Sequence, residues 1–508
     1  MLAAMLAAMA GIAAGKGDDE VKRLPGWKGP LPSRWFSGYI DIDDTMRAHY
    51  VYVERETPPS SSSHNEPLPP PPLLLWSNGG PGASSMFGLM TEIGPFMLSA
   101  ESLKSKFFRR THIPSLIRNP FAWTRFADIL IFDSPPPVGF SYCYPAGPAG
   151  RGDSCGAWND TKTALVNYQA LKGFFNLYPH LRVRRLFLAG ESYAGVYIPT
   201  LAREILQGQQ EFAINLRGFA VGDACAGTDV LCGDSFGPLW EVEWLQGHQQ
   251  FSRKLYEEMQ QTCGYEELKL GNLSSRCQLL IGRMEEEVGG YYEYALYDDC
   301  VYDDAFQLWS WHALPGYARR RGRRMYVGGA LNDYPCGTGR ALMLWVGSNK
   351  VRKALHVPSS SFFFNADNGD GFSYLLTEKS LLPLYSAIAA GRWGRVQMLV
   401  YNGDTDPSIN TLAAQNWTSA LKLPEIESWR PWTLDGCRRM GGYVTRYAGS
   451  LDFLTIRGAG HMVPTYKPAA AFAMMSLWLE DLPFPAFNSS CTQPPETGRR
   501  KTQSTTIA

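Results

Sequence analysis

The stretch RLFLAGESYAG, residues 185–195, decides the fold of this 508-residue chain. Its first half is an apolar strand that runs into a tight turn carrying Ser192, and VYIPTLAREIL at 196–206 continues with helical spacing. A sharp turn between a strand and a helix lifts a serine hydroxyl out of a sheet, provided that the neighbouring residues are small. Ala194, in place of the usual second glycine of G-x-S-x-G, and Gly195 meet that condition. The stretch therefore predicts a nucleophile elbow.

Other apolar runs repeat this plan of a short strand that ends in a turn. The segment TALVNYQALKGFFNLYP at 163–179 has helical spacing and separates two of them. Such an alternation predicts a mostly parallel sheet with helices on both faces, and chemistry at the carboxyl ends of its strands. WFSGYIDIDD and AHYVYVERE alternate apolar and polar residues, which predicts an antiparallel hairpin. The predicted sheet strands are LLLW (73–76), ADILIFDSP (127–135), RLFLAG (185–190), LRGFAVGD (216–223) and VQMLVYNGD (396–404).

Two regions depart from this rhythm of strands and helices. The stretch 57–72 is rich in proline and serine, cannot build a core, and predicts an exposed loop. The region from about 225 to 340 is richer in cysteine, tyrosine and charge, so we expect an insertion that caps the sheet. The predicted organisation is a signal peptide at 1–20, a first core part at 24–224, the cap at 225–340, a second core part at 341–490 and a tail at 491–508.

Composition and targeting signals narrow the class of protein. Lysine plus arginine equals aspartate plus glutamate at 48 each, so no net field favours nucleic acid or an anionic membrane. The apolar leader is too short to span a bilayer and resembles a signal peptide, and no other stretch predicts a membrane anchor. Ten cysteines without a CxxC pair indicate the oxidising secretory pathway, with secretion or delivery to a vacuole or lysosome. Four N-glycosylation sequons agree: Asn159, Asn272, Asn416 and Asn488.

Several motifs together resemble one known family. GESYAG followed by VYIPTLA resembles the GESYAGHYVP region of the serine carboxypeptidases, and WSNGGPGASS (76–85) resembles their WLNGGPGCSS block. The resemblance runs from about residue 24 to 482 and implies an α/β-hydrolase fold with a cap and without a cofactor. We find no metal-ligand cluster in the sequence either. The remaining matching blocks are NPFAWTRFADILIFDSPPPVGFSY (119–142), VRKALHV (351–357), YNGDTD (401–406) and GAGHMVP (458–464).

A serine hydroxyl becomes a nucleophile only when a positioned base removes its proton and an acid holds that base. In this fold the acid and the histidine follow the serine along the chain. His461, in a Gly-Ala-Gly-His loop after FLTIRG, matches the family's histidine, whereas His356 is expected to be structural. The resemblance selects Asp406 as the acid, and we expect Asp404 to shape the turn through its own backbone.

The resemblance also implies a site for the terminal carboxylate of a peptide or protein substrate. It assigns that carboxylate to Asn78, Glu92 and Glu191, flanked by Trp76 and helped by the Gly79 amide. Crowded carboxyls raise each other's pKa, and a shared proton lets them donate hydrogen bonds, so this site predicts activity at acidic pH. The oxyanion hole is expected to use two backbone amides, from Tyr193 and, by family analogy, from Gly80.

Some features leave alternatives open. A serine carboxypeptidase-like acyltransferase keeps the same triad, and a non-catalytic protective binding protein could keep the same fold. The basic run at 318–324 is either a processing site or an exposed loop, and a homodimer is among the options for assembly. Ala83 replaces a cysteine of the family, whose partner is also missing. Spacing and analogy pair Cys263 with Cys277 and Cys300 with Cys336; the further pairs are Cys225–Cys232, Cys143–Cys155 and Cys437–Cys491.

Overall fold

The computed structural model describes residues 19–57, 70–232, 237–298, 337–365 and 371–491. Four predicted features lie wholly or largely outside these ranges: the expected signal peptide up to residue 18, most of the 57–72 loop, the basic run at 318–324 and the expected Cys300–Cys336 pair. The strands are β1 Glu20–Val21, β2 Trp35–Asp41, β3 Met46–Val53, β4 Leu73–Ser77, β5 Phe96–Met97, β6 Ile117–Arg118, β7 Asp128–Phe132, β8 Tyr142–Cys143, β9 Trp158–Asn159, β10 Leu186–Glu191, β11 Leu216–Gly222, β12 Tyr374–Leu375, β13 Gln397–Gly403, β14 Glu425–Thr433, β15 Met440–Tyr447 and β16 Leu451–Ile456.

One twelve-stranded sheet organises the chain. Its order is β1-β2-β3-β7-β4-β10-β11-β13-β16-β15-β14, with β8 paired to β3. The six strands from β7 to β16 along this order run parallel, and the strands on either side of them are antiparallel. The predicted hairpin is confirmed as β2 and β3, and the five predicted strands are confirmed as β4, β7, β10, β11 and β13.

Helices cover the sheet, as the alternation of elements predicts. The predicted helix at 163–179 begins earlier, at Asp160, because the Asn159 side chain accepts a hydrogen bond from the Lys162 amide and caps it. The helices are α1 Met86–Thr91, α2 Ala100–Lys104, α3 Lys106–Thr111, α4 Asp160–Leu177, α5 Ala194–Gln207, α6 Leu239–Gly247, α7 Arg253–Thr262, α8 Tyr265–Leu270, α9 Ser275–Val288, α10 Thr338–Val346, α11 Asn349–Ala354, α12 Leu382–Ala389, α13 Thr411–Ala420, α14 Val463–Tyr466 and α15 Pro468–Leu479.

The two faces of the sheet carry two separate apolar cores. Side chains alternate along a strand, so Leu74 and Leu399 face α1, α10 and α15, whereas Leu75 and Val400 face α4, α5, α12 and α13. Strands that are apolar on both faces belong between two helical layers. This arrangement confirms the α/β-hydrolase fold that the sequence predicts.

The helices α6 to α9 form a third apolar cluster of their own. Leu255, Met259 and Leu280 are buried among these helices, and the Cys263–Cys277 disulfide ties α7 to α9. Nearly all members of this cluster belong to the helices and not to the sheet. The expected cap at 225–340 stays a prediction, since residues 299–336 lie outside the described ranges.

Disulfides join four of the five cysteine pairs that the sequence analysis names. Each pair has its Cα atoms between 5.3 and 5.6 Å apart. The bonds are Cys143–Cys155, Cys225–Cys232, Cys263–Cys277 and Cys437–Cys491.

Two leucines on α4 provide a test of the core assignment. Leu171 is fully buried beneath the sheet, whereas Leu165 is 46% exposed on the same helix. Leu171→Ala leaves a cavity and should lower the free energy of unfolding by about 2–5 kcal/mol. Leu165→Ala removes little buried surface and should change it by less than about 0.5 kcal/mol. Urea unfolding of both variants checks this, and equal losses would contradict the assignment.

Candidate active site

The predicted nucleophile elbow lies at the carboxyl end of β10. Ser192 has a φ of 61°, in the left-handed region that residues other than glycine rarely adopt, and α5 begins two residues later. Its amide donates to the Gly222 carbonyl at the end of β11 (2.9 Å), and its carbonyl accepts from Gly195 and Cys225. These three bonds hold the strained turn between two strands and a helix, so the backbone that carries the Ser192 hydroxyl has a fixed position.

The loop after β4 lies directly against this turn. A Cβ atom added at Gly79 would lie 2.4 Å from the Tyr193 amide nitrogen and 2.8 Å from the Glu191 carbonyl oxygen. Only a glycine allows two backbones to approach so closely. The neighbouring Gly80 has a φ of 108°, which also favours glycine. The Gly-Gly pair therefore brings the loop's amides beside the serine.

Two backbone amides at this contact are available to a ligand. Among the described residues, the N–H groups of Gly80 and Tyr193 donate to no backbone or side-chain acceptor. The Tyr193 side chain is anchored separately, because its hydroxyl donates to Asp160 Oδ1 (2.6 Å). Asp160 also accepts from the amide of Glu378 (2.6 Å), so it joins the elbow to a distant loop. Sequence reasoning missed Asp160, whose position at the start of a helix gives no signal of this role.

His461 and Asp406 form a buried pair near the same edge of the sheet. His461 Nδ1 and Asp406 Oδ2 are 2.7 Å apart, and the two side chains are 4% and 0% exposed. Asp406 accepts further hydrogen bonds from the amides of Ser408 (2.9 Å) and Ile409 (3.3 Å). These donors orient the carboxylate, which in turn orients the imidazole.

Asp404 and His356, the other aspartate and histidine weighed for the triad, hydrogen-bond groups outside the His461–Asp406 pair. Asp404 does not shape its turn through its own backbone, contrary to our expectation: its carboxylate accepts from the Gly458 amide (2.5 Å) in the loop before His461. The exposed His356 hydrogen-bonds the Ser37 carbonyl (2.9 Å), as expected of a structural histidine.

A segment that sequence reasoning missed covers the histidine. The Tyr294 carbonyl accepts from the His461 amide (2.7 Å), and the two rings have centroids 4.8 Å apart. Two residues on, the Leu296 amide donates to the Thr405 carbonyl (2.9 Å) beside Asp406. The tyrosine-rich composition of this region was its only signal in the sequence. The segment fastens the two loops that carry the pair.

Beside the serine lies a buried cluster of two carboxyls and an amide. Asn78 Nδ2 donates to Glu191 Oε1 (2.8 Å) and Glu92 Oε1 (3.2 Å), while its Oδ1 accepts from Trp76 Nε1 (2.9 Å) and the Gly88 amide (3.0 Å). Glu92 is 2% exposed and Glu191 4%. The four contacts leave Asn78 a single orientation, so it presents both amide hydrogens to the carboxyls.

Burial controls the protonation of this pair. It raises the pKa of Glu92 to about 7, against hydrogen bonds from Asn78 and Glu191 that lower it. Burial also raises the pKa of Glu191 well above its usual range, and the adjacent Glu92 adds to the effect. The Oε2 atoms of the two side chains accept from no N–H or O–H group of the described residues. The two carboxyls shift each other's pKa, and adjacent carboxyls of this kind can share one proton.

The structure also describes the surroundings of the four predicted glycosylation sites. Asn272, Asn416 and Asn488 are exposed, whereas Asn159 is half-buried at its helix cap. No helix in the described ranges is both long and apolar enough to cross a membrane. Within the same ranges, no three His, Cys, Asp or Glu side chains gather as metal ligands.

An elbow serine and a buried His–Asp pair at the carboxyl edge of a mostly parallel sheet define an α/β-hydrolase of the serine type. The pattern of the serine carboxypeptidase family matches residues 25–481. The chain belongs to the serine carboxypeptidase family and is a serine-type carboxypeptidase, a class of hydrolase.

Known proteins of similar length resemble the chain. It is 32% identical to the lysosomal protective protein of Mus musculus, over 92% of this chain and 94% of that protein. It is 30% identical to serine carboxypeptidase 1 of Hordeum vulgare, over 91% and 92%. A prohormone-processing carboxypeptidase from Saccharomyces cerevisiae has the same fold, with a TM-score of 0.63 at 17% identity, over 91% of this chain and 96% of that one.

The tight contact at Gly79 generates a prediction. Gly79→Ala places a methyl group against backbone atoms that cannot move away, so the amides beside Ser192 should be displaced. We expect the rate of hydrolysis of a blocked amino-acid ester to fall at least about a hundredfold, the scale of losing one oxyanion donor.

Gly282→Ala serves as the matched control for this variant. Gly282 lies in α9, and an added Cβ atom there meets no other atom within 4 Å. The control should keep the wild-type rate, and a Gly79→Ala enzyme that also kept it would refute the close approach.

Proposed function

We propose that this carboxypeptidase cleaves the last peptide bond of its substrate through an acyl-enzyme on Ser192, with His461 and Asp406 as the other members of the triad. The observation that carries the proposal is the buried Asn78–Glu92–Glu191 cluster beside the elbow. A general hydrolase has no need of buried carboxyls next to its nucleophile. A site for a substrate's terminal carboxylate explains them.

We assign the steps of the reaction to these groups as follows. His461 takes the Ser192 proton while the hydroxyl oxygen attacks the scissile carbonyl, and the amides of Gly80 and Tyr193 donate to the oxyanion. Collapse breaks the C–N bond, and the imidazolium gives its proton to the leaving amino acid. Water then attacks the acyl-enzyme with His461 again as the base; collapse breaks the ester bond, and the imidazolium returns its proton to the Ser192 oxygen as the acid product leaves. Asp406 stabilises the imidazolium in both steps.

Recognition of the terminal carboxylate depends on protons held by the glutamates. Neutral carboxyls can donate O–H hydrogen bonds to an anion, whereas two ionised glutamates would repel it. Asn78 hydrogen-bonds both carboxyls and is itself held by Trp76, which flanks the site. We assign the Gly79 amide to the same site as a further donor. Because burial raises the pKa of Glu92 to about 7, its neutral form predominates below that pH. We therefore infer that peptides bind best at acidic pH.

Blocked dipeptides test the proposal directly. Free acids and the corresponding C-terminal amides are incubated with the enzyme from about pH 4 to 8, beside a Ser192→Ala variant. We expect release of the terminal residue from the acids, best at acidic pH and at least about a thousandfold slower in the variant. Equal cleavage of acids and amides at every pH would contradict the carboxylate site. Transfer from an activated ester to an added alcohol, without peptide cleavage, would instead favour an acyltransferase.

The glutamate pair has a separate test in a neutral replacement. Glu92→Gln keeps a hydrogen-bond donor that does not titrate, so KM for a peptide acid should stay level between pH 6 and 8. Wild-type KM should rise by up to about tenfold for each pH unit above the pKa of Glu92.

A distant carboxyl supplies the control. Burial also raises the pKa of Glu241, which lies on α6 and accepts from the Tyr291 hydroxyl. Glu241→Gln should keep the wild-type rise of KM with pH. The assignment of the pair fails if KM of Glu92→Gln rises with pH as steeply as KM of the wild type.

We also propose that the enzyme works in the secretory pathway, after secretion or in a vacuole or lysosome. Four disulfides support an oxidising route, and exposed sequons support glycosylation on it. A lysosomal relative agrees with the acid preference inferred from the glutamates. A homodimer stays an expectation from the sequence.

A further inference from the structure

Asp223 lies between the two strands that carry the proposed nucleophile and the proposed acid. It is the first residue after β11, it is fully buried, and its φ is 41°. On one side, the preceding Gly222 carbonyl accepts from the Ser192 amide. On the other, the Asp223 amide donates to the Tyr401 carbonyl of β13 (2.9 Å).

The Asp223 carboxyl accepts hydrogen bonds from the end of β13, the strand that precedes Asp406. The Gly403 amide donates to both of its oxygens, at 3.0 and 3.2 Å. Asn402 Nδ2 donates to Asp223 Oδ1 (3.3 Å) and to the Ile409 carbonyl (2.8 Å). Asn402 thus connects Asp223 with the turn whose amides hold Asp406.

The two carboxyls also influence each other, because the charge of Asp406 adds to burial in raising the pKa of Asp223. Two carboxyl groups can share a hydrogen bond only when one of them carries a proton. Asp406 already accepts from Ser408, Ile409 and His461. All three contacts use Asp406 as the acceptor, so we place a proton shared by the two carboxyls on Asp223.

The groups that face Asp223 agree with this assignment. They are Asp406 from the loop after β13, Glu191 from the end of β10, and the Tyr401 phenol from β13. None of the three can carry a positive charge. Burial raises the pKa of Asp223 well above its usual range, and the adjacent Asp406 raises it further, against the Gly403 amide.

We propose that Asp223 is a positioning residue whose carboxyl O–H donates to Asp406 and keeps that carboxylate on Nδ1 of His461. The proposal rests on the triad of the proposed function. Ionisation of Asp223 would place two negative charges side by side without a proton, and their repulsion would move Asp406 away from the histidine. The reactivity of Ser192 should therefore fall as pH rises through the titration of Asp223, whether or not the substrate has a terminal carboxylate.

A reagent without a carboxylate separates this effect from the Glu92–Glu191 pair. An alkyl fluorophosphonate reacts when the serine oxygen replaces fluoride on phosphorus, and the serine proton passes to the histidine. The rate of inactivation is measured from pH 4 to 10 for wild type, Asp223→Asn and Asp223→Ala. Melting temperatures of all three report whether each variant is folded.

Asp223→Asn, which has an amide of the same shape, should keep the reactivity of the wild type. The rate of this variant should not decline at alkaline pH. Asn donates an N–H in place of the O–H, so Asp223→Asn should react within about threefold of wild type at pH 5. Its rate should then stay level where the wild-type rate declines at alkaline pH. Asp223→Ala leaves Asp406 without this donor and should react at least about tenfold more slowly at every pH.

A buried carboxyl elsewhere in the sheet provides the matched control. Asp128 lies on β7, where it accepts from the Tyr52 hydroxyl and pairs with Arg184, and burial raises its pKa too. Asp128→Asn should keep the alkaline decline of the wild type, whatever its effect on stability.

The outcomes distinguish this proposal from the one on which it rests. If Ser192→Ala still reacts with the fluorophosphonate, the triad itself is wrong. If Ser192→Ala is inert but Asp223→Asn follows the wild-type profile, or Asp223→Ala reacts normally, only the role of Asp223 is wrong.

A measurement on the unmodified protein covers the case in which the variants fail to fold. The proton on His461 Nδ1 gives a downfield NMR signal while it is held by Asp406, and this signal should shift over the pH range in which the wild-type rate declines. A signal and a rate that both stay constant to pH 10 would overturn the proposal.

Discussion

The hydrogen-bonded register of the parallel strands positions the elbow serine, the His–Asp pair and Asn78 at one edge of the sheet. The strands β4, β10, β11, β13 and β16 pair side by side, so their carboxyl ends form one edge. The residues that follow these ends are Asn78, Ser192, Asp223, Asp406 and His461. A slip of one residue in any pair would turn a strand's side chains to the opposite face and displace its group from the others. The two helical layers oppose such a slip, since both faces of these strands are buried.

Four carboxyl groups are buried at this edge, and burial makes the ionised form of each one costly in free energy. Glu92, Glu191, Asp223 and Asp406 are all nearly or fully buried, and His461 is the basic side chain paired with one of them. An ionised buried carboxyl without a partner is strongly destabilised, so such groups keep their protons or find donors. Asp406 has backbone donors, whereas the other three have raised pKa values. One physical constraint thus accounts for both the inferred binding of a carboxylate and the inferred preference for acid.

Sequence reasoning identified those parts of the site that a local sequence pattern predicts. The elbow around Ser192 follows from an apolar strand, a small-residue turn and a helix, and family resemblance located Asn78, Glu92 and His461. It missed Asp160, Asp223 and Tyr294, whose partners are far away along the chain. It also missed the antiparallel strands β14 and β15 at the sheet edge, where β14 has few buried residues and lacks the apolar run of a central strand.

The sequence by itself determined the strand–turn–helix plan, the sheet with two helical layers, the chemical types at the strand ends and the family. These follow from short-range periodicity and from motifs, which act over a few residues. Only the tertiary structure decided which carboxyls are buried together, which of two aspartates contacts the histidine, and which segment of the chain covers the histidine. A pKa depends on burial and on neighbours within a few ångströms, and those neighbours come from strands and loops that are distant in sequence.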